Sequence, residues 1–263
     1  MTDLNGKFFW YELMTSDPRA AIAFYGDVVG WSVQPFEGGD HDYHVISGSA
    51  GPHGGIMAIP AEAGDCGMKP WWGGYIGSAD VDADVKRLAD AGAGVRRPPE
   101  DIPGVGRFAV MGDPGGATFL LLRGSSPEGM DAPPPMAKGH VGWHELYSGD
   151  FDADLAFYTS AFGWGKGDAM DMGEMGSYQL ISMCGGTDFN NMTGGIMPKP
   201  SEMPEPLWLF YFAVDDIDAA VERVKAGGGA VLNGPMEVPG GAWIIQATDP
   251  QGAMFALVGM RAS

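Results

Sequence analysis

Two stretches decide the fold: WYELMTSDPRAAIAFYGDVVGW, residues 10–31, and WHELYSGDFDADLAFYTSAFGW, residues 143–164. They lie 133 positions apart, and ten of their 22 positions are identical. Trp10, Glu12 and Leu13 meet Trp143, Glu145 and Leu146. Asp17 meets Asp150, Ala20 meets Ala153, Ala23-Phe24-Tyr25 meets Ala156-Phe157-Tyr158, and Gly30-Trp31 meets Gly163-Trp164. Self-similarity at a fixed period is the mark of a repeat architecture. Further along the spacing becomes 136, with Asp80-Val81-Asp82 on Asp216-Ile217-Asp218, Pro103-Gly104 on Pro239-Gly240 and Asp113-Pro114 on Asp249-Pro250. A few extra residues around 168–191 account for the drift. Residues 124–138, with Pro127 and Pro133-Pro134-Pro135, have no counterpart in either copy and read as a semi-rigid linker. The expected organisation is a first module over 1–124, a linker over 125–138 and a second module over 139–263.

Each module has legible periods. Residues 8–14 have β propensity with a polar Glu12 and predict a half-buried strand. Asp17-Pro18 then reads as an N-cap followed by proline at the first helical position. Ile22, Tyr25 and Val29, matched by Leu155, Tyr158 and Phe162, mark one amphipathic helix per module. Val81, Val85 and Leu88 before Gly92 give a second, repeated by Ile217, Val221 and Val224 before Gly227. Short strands are expected over 43–47, 54–59, 72–78, 107–111 and 117–122, and over 178–183, 195–197, 207–214, 242–247 and 253–258. Each Asp-Pro-x-Gly is a tight turn joining the last two strands. The fold class expected is α+β, each module made of two βαβ-like halves with an antiparallel-rich sheet.

The strand, the Asp-capped helix ending in Phe-Tyr, the Gly-Trp and the late Asp-Pro-x-Gly before an apolar strand resemble the vicinal oxygen chelate superfamily. Glyoxalase I, extradiol dioxygenases, fosfomycin-resistance enzymes and bleomycin-binding proteins belong to that group. The resemblance covers nearly the whole chain, once per module, and implies two tandem βαβββ-type modules with curved mixed sheets forming cups. It is specific for fold and weak for function, since one fold hosts many chemistries. In the metalloenzymes of the family a divalent ion sits in the cup and polarises vicinal substrate oxygens.

The resemblance matches the family's first-strand ligand to Trp10 and Trp143, and its late glutamate to Leu120 and Ala256. The remaining ligand falls near Gly74 and Leu209. None of these side chains has a donor to offer a metal, so no metal and no cofactor is expected at the family's positions. Alternation along a strand puts Trp10 beside Glu12, and Trp143 beside Glu145, on one face. If the indoles point into the cups, as the resemblance implies, so do the carboxylates. Glu12 and Glu145 are the candidate catalytic residues, acting as acid or base or holding a cationic or hydroxyl-bearing ligand. Equally open is a structural role, with each glutamate bonded to backbone or arginine or lying where the first strands meet.

Trp10, Trp143, Tyr43, Tyr178, Arg107 and its repeat partner Trp243 are the candidate substrate-binding residues. Arg107 could pair with Glu12 or hold an anionic ligand group, or stand exposed on its strand. His41, His44 and His53 form a loose cluster matching no ligand signature, and His144 faces away from Glu145 in a structural role. Met170, Met172, Met175 and Met183 could wall a pocket or simply fill the core.

The 263 residues include 34 acidic and 15 basic side chains, a formal charge of −19. Such a surface repels phosphate backbones and anionic lipid, so neither nucleic acid nor membrane is an expected partner. No signal-peptide pattern opens the chain, and Cys66 and Cys184 form no CxxC pair. A cytoplasmic protein with reduced thiols, monomer or homodimer, is expected. The leading function is a pocket binding a small hydrophobic or aromatic molecule without a metal. The rivals are a lyase, dioxygenase or hydroxylase-type enzyme on a small carbonyl or hydroxylated substrate, and an interaction scaffold with a vestigial pocket.

Overall fold

The structure is a computed structural model that describes residues 4–38, 42–125 and 133–262. In the first repeat the order is β1 (Phe8–Thr15), α1 (Pro18–Val28), β2 (Ser32–Pro35), β3 (Tyr43–Gly48), β4 (Gly51–Ala58), α2 (Ala61–Asp65), β5 (Trp71–Gly77), α3 (Val81–Asp90), β6 (Gly94–Ile102), β7 (Gly106–Gly112) and β8 (Thr118–Gly124). The second gives β9 (Val141–Ser148), α4 (Phe151–Ala161), β10 (Gly165–Asp171), β11 (Ser177–Ser182), β12 (Gly194–Pro198), β13 (Leu207–Val214), α5 (Ile217–Ala226), β14 (Ala230–Glu237), β15 (Trp243–Thr248) and β16 (Met254–Gly259). Each repeat forms one open eight-stranded mixed sheet, in the orders β2-β3-β4-β1-β5-β8-β7-β6 and β10-β11-β12-β9-β13-β16-β15-β14. The class is α+β, and each repeat is two βαβββ halves.

Helices α1, α3, α4 and α5 start where the sequence places them, whereas the short α2 had no forecast and carries no side-chain cap. The Asp17, Asp80, Asp150 and Asp216 side chains accept backbone N–H groups of their first turns, and Pro18 opens α1. These caps satisfy amide donors that have no partner inside the helix. Four strands had no sequence forecast: β2, β6, β10 and β14. All end their sheets, and β6 reads GVRRPPEDI, whose charges and two prolines suggest a loop. Proline is tolerated on an edge strand, where its missing N–H faces no neighbour.

The chain condenses into two compact units, each taking segments from both repeats. Of the described residues, one holds 4–9, 73–125 and 144–208; the other holds 10–38, 42–72, 133–143 and 209–262. The first is cored by an aromatic cluster in which Tyr158 stacks on Trp164 with centroids 4.7 Å apart and meets Trp208 edge-on. In the second, Tyr25 stacks on Trp31 and meets Trp72 and Phe255 edge-on. Each cluster carries a buried hydrogen-bond chain from indole to phenol to carboxylate. Trp208 Nε1 donates to the Tyr158 hydroxyl at 2.9 Å, which donates to Asp113 Oδ2 at 3.0 Å. Trp72 Nε1 donates to the Tyr25 hydroxyl at 3.0 Å, which donates to Asp249 Oδ2 at 3.1 Å. The aspartates of the two Asp-Pro turns thus do more than shape turns: each receives the tyrosine of a helix from the other repeat.

Candidate functional site

On β1 the register places Glu12 opposite Gly55 of the parallel strand β4, and on β9 Glu145 stands opposite Gly195 of β12. The glycines make room for a tyrosine from the next strand. A Cβ at Gly55 would lie 2.1 Å from the Tyr43 hydroxyl oxygen, and one at Gly195 would lie 2.2 Å from the Tyr178 ring. Each ring therefore lies flat over a glycine and brings its hydroxyl to the glutamate. Tyr178 donates to Glu145 Oε2 at 3.0 Å, and the Tyr43 hydroxyl bonds Glu12 in the same way. Trp10 Nε1 donates to the Tyr43 oxygen at 2.8 Å.

Glu12 and Glu145 are each only 6% exposed, while Trp10, Trp143 and Tyr43 are half-buried. Burial, and then the negative charge of Glu12, hold the Tyr43 hydroxyl well above the ordinary tyrosine range, so it stays a proton donor. A carboxylate held by a phenol, beside an indole that is partly open, can orient a hydroxyl, bind a cation or move a proton. Trp143 stands two residues before Glu145 on β9, on the same face by strand alternation.

The other forecast residues lie elsewhere. Arg107 bonds Asp82 at 2.6 Å and Asp101 at 3.0 Å. The expected option of an Arg107–Glu12 pair is thereby corrected: its guanidinium is taken by two surface carboxylates. Trp243 carries the Arg261 guanidinium 3.6 Å above its ring. His144 is buried, stacked on Phe8 with centroids 5.3 Å apart and bonded through Nδ1 to the Thr193 carbonyl, and burial lowers it to about 4. Of the expected histidine group, His41 lies outside the described residues, His44 faces Asp42 at 3.6 Å, and His53 meets the His140 ring at a tilt instead. Met172 and Met175 are exposed and Met183 is buried. Cys66 and Cys184 are both free and exposed.

A polar group the sequence reading missed lies on the late strands of the second repeat. Gln246 Nε2 of β15 donates to the Tyr211 hydroxyl of β13 at 2.7 Å, with Asn233 of β14 beside it. Tyr211 repeats Tyr75 at the same 136 spacing, which was a usable signal. Gln246 falls on Val110 in the first repeat and left none.

A family model described as the Glyoxalase/Bleomycin resistance protein/Dioxygenase superfamily matches residues 7–121 and again 139–257. The chain belongs to that superfamily. It is 32% identical over 251 residues to CFP32, a provisionally named glyoxylase of Mycobacterium tuberculosis, covering 95% of this chain and 93% of that one. It is 30% identical to the anthracycline biosynthesis protein DnrV of Streptomyces peucetius, covering 96% and 92%. The 2,3-dioxygenase LapB of Pseudomonas sp. KL28 superposes with a TM-score of 0.66 at 13% identity, covering 99% and 94%. So does the Mn(II)-bound glyoxalase of Novosphingobium aromaticivorans, at 15% identity and 99% and 84% coverage. At such identities the last two share the fold.

The donor chemistry at the matched positions of this superfamily member does not suit a divalent ion. Trp10, Trp143, Leu120 and Ala256 offer no lone pair, and the carboxylates of Glu12 and Glu145 are engaged by tyrosines. Among the described residues no three His, Cys, Asp or Glu side chains gather as a set that could hold a metal ion. Among the same residues, no helix is long and apolar enough to cross a membrane.

Proposed function

We propose that this chain is a metal-independent member of the superfamily that binds a small aromatic molecule carrying a cationic or hydroxyl group. The observation that carries the reading is the repeated pairing of a buried glutamate with a tyrosine hydroxyl, Tyr43 on Glu12 and Tyr178 on Glu145, beside Trp10 and Trp143. An indole face attracts planar apolar and cationic groups, and a desolvated carboxylate next to it selects a positive charge or a hydroxyl donor. The relative named for anthracycline biosynthesis supports a planar polycyclic ligand of this kind.

The test is calorimetric titration with an amine-bearing anthracycline. Binding to the wild type should weaken at least about tenfold in Glu12→Gln and Glu145→Gln combined, which is roughly 1.4 kcal/mol, with the melting temperature nearly unchanged. Equal affinity in wild type and variant would refute the carboxylate's role.

A second reading is proton transfer, with Glu12 or Glu145 as general base on a small carbonyl or hydroxylated substrate. The tyrosine that holds each carboxylate favours it, because a base must be fixed within hydrogen-bond reach of the proton it takes. Turnover of a bound compound, lost in the glutamine variants while binding persists, separates this reading from the first.

A further inference from the structure

His53 of β4 and His140, just before β9, meet ring to ring with centroids 4.5 Å apart and planes inclined by 44°. They are 3% and 4% exposed. Among the described residues neither nitrogen of His53 has a hydrogen-bond partner of good geometry, and the nearby Gly51 carbonyl alone favours its charged form. One edge of the site is closed by Trp31, which meets His53 edge-on at 5.5 Å.

The segment that carries His140 is tied down by the same corner. Ser49 N–H donates to the Lys138 carbonyl at 2.9 Å, Trp31 Nε1 to the Gly139 carbonyl at 2.7 Å, and Ala50 N–H to His140 Nε2 at 3.1 Å. Gly139 and His140 also exchange backbone bonds with Ala213 of β13, both at 2.8 Å. Gly48 of β3 lies against the His140 ring, where a Cβ would come within 2.7 Å. The elements around the rings thus supply Gly48 from β3, Trp31 from the α1–β2 connection and Ala213 from β13, none of them charged. The charged groups bordering this corner are Lys138 and Asp215, which pair with each other. Among the described residues, no carboxylate compensates either imidazole.

A ring nitrogen that accepts a hydrogen bond must be unprotonated. Protonating His140 turns the Ala50 contact into donor against donor, and protonating both rings places two cations side by side in an apolar corner. We infer that His53 and His140 form an acid-sensitive latch, which holds residues 137–140 on the 48–51 turn at neutral pH and releases them in acid.

Burial, with His140 beside it, lowers His53 to about 3, and burial lowers His140 as well. The sign follows from linkage. The docked state binds fewer protons than the released one, so docking is complete above the ordinary imidazole range near 6.5 and weakens progressively as pH falls below it.

The test is hydrogen exchange of the whole chain at pH 7.5 and 5.0, corrected for intrinsic rates, comparing wild type with the His53→Phe/His140→Gln double variant. Glutamine places an amide oxygen where Nε2 stood and keeps an acceptor that does not titrate. Protection in peptides covering 47–53 and 137–142 should fall at least about tenfold in the wild type while β16 stays constant, and should hold within about twofold in the variant. An unchanged wild type, or an equal fall in the variant, would overturn the latch. NMR titration of the wild-type imidazole protons is a second measurement that needs no variant. The latch predicts that neither ring titrates while 137–140 stays protected, and a ring that titrates near 6.5 with protection intact would overturn it.

Discussion

The buried carboxylates fall into two kinds, and their surroundings decide which. Glu12 and Glu145 each sit under a tyrosine on a half-open strand face, while Asp113 and Asp154 are sealed together. Asp113 accepts from Tyr158 and from Ala117 N–H at 2.6 Å; Asp154 accepts from Gly115 N–H at 2.7 Å and Ser148 Oγ at 2.5 Å. Burial, and then the charge of Asp154, raise Asp113 to about 7, and burial raises Asp154 too. A carboxyl whose folded pKa is raised keeps its proton when the unfolded chain has lost it. The folded state therefore loses stability as pH climbs from about 4, the unfolded value, to about 7. Asp154→Asn removes one charge and keeps hydrogen-bonding groups facing Gly115 and Ser148. We expect the stability of this variant, measured by urea unfolding, to gain on the wild type steadily between pH 4 and 8. A constant difference would show that the pair does not titrate in this range. Ala21 occupies the equivalent position in the first repeat, which is why the second compact unit has Asp249 without such a neighbour.

Legibility at this scale followed duplication. The Trp-x-Glu pairs and the tyrosines that hold them were visible because each occurs twice, whereas Gln246 occurs once and was silent. The scarcity of basic residues singles out Arg107 in the sequence, and it does not reveal what the guanidinium bonds. Its partners are Asp82 on α3 and Asp101 on β6, the second set opposite it by pairing of β6 with β7.

At the scale of elements, the interior strands and helices α1, α3, α4 and α5 were readable from period and caps, and the sheet edges and the uncapped α2 were not. Edge strands answer to solvent on one side, so their sequences carry the charges and prolines that otherwise mark loops. The interior strands carry a different constraint in Gly55 and Gly195, whose missing side chains seat Tyr43 and Tyr178. Gly195→Ala must displace the Tyr178 ring or bend β12, at a cost of about 1–3 kcal/mol, and separates the phenol from Glu145. Thermal unfolding should register the loss, and a variant as stable as the wild type would show that the ring has another seat.

The whole molecule is two repeats by sequence and two compact units by contact, and the two divisions differ. Tyr25 of the first repeat finds its acceptor in Asp249, and Trp31 meets Phe212 edge-on at 4.9 Å. A fragment of residues 1–124 expressed alone would leave the Tyr25 hydroxyl and the Trp31 face without these partners. We expect no cooperative monomer from it, only an unfolded chain or a paired one. Light scattering with near-ultraviolet circular dichroism distinguishes these, and a folded monomer would contradict the expectation.

The interleaving also imposes an order on biosynthesis. Everything in the first compact unit has been polymerised once residue 208 is added, whereas the Tyr25–Asp249 bond spans 224 positions and waits for nearly the last residue. A chain emerging from the ribosome at 5–20 residues per second therefore holds α1, with its apolar face made early, without its final neighbours for roughly ten seconds or more. Of all its helices, the one translated first is among the last to be sheltered, and the nascent chain's exposure to chaperones and proteases is concentrated there.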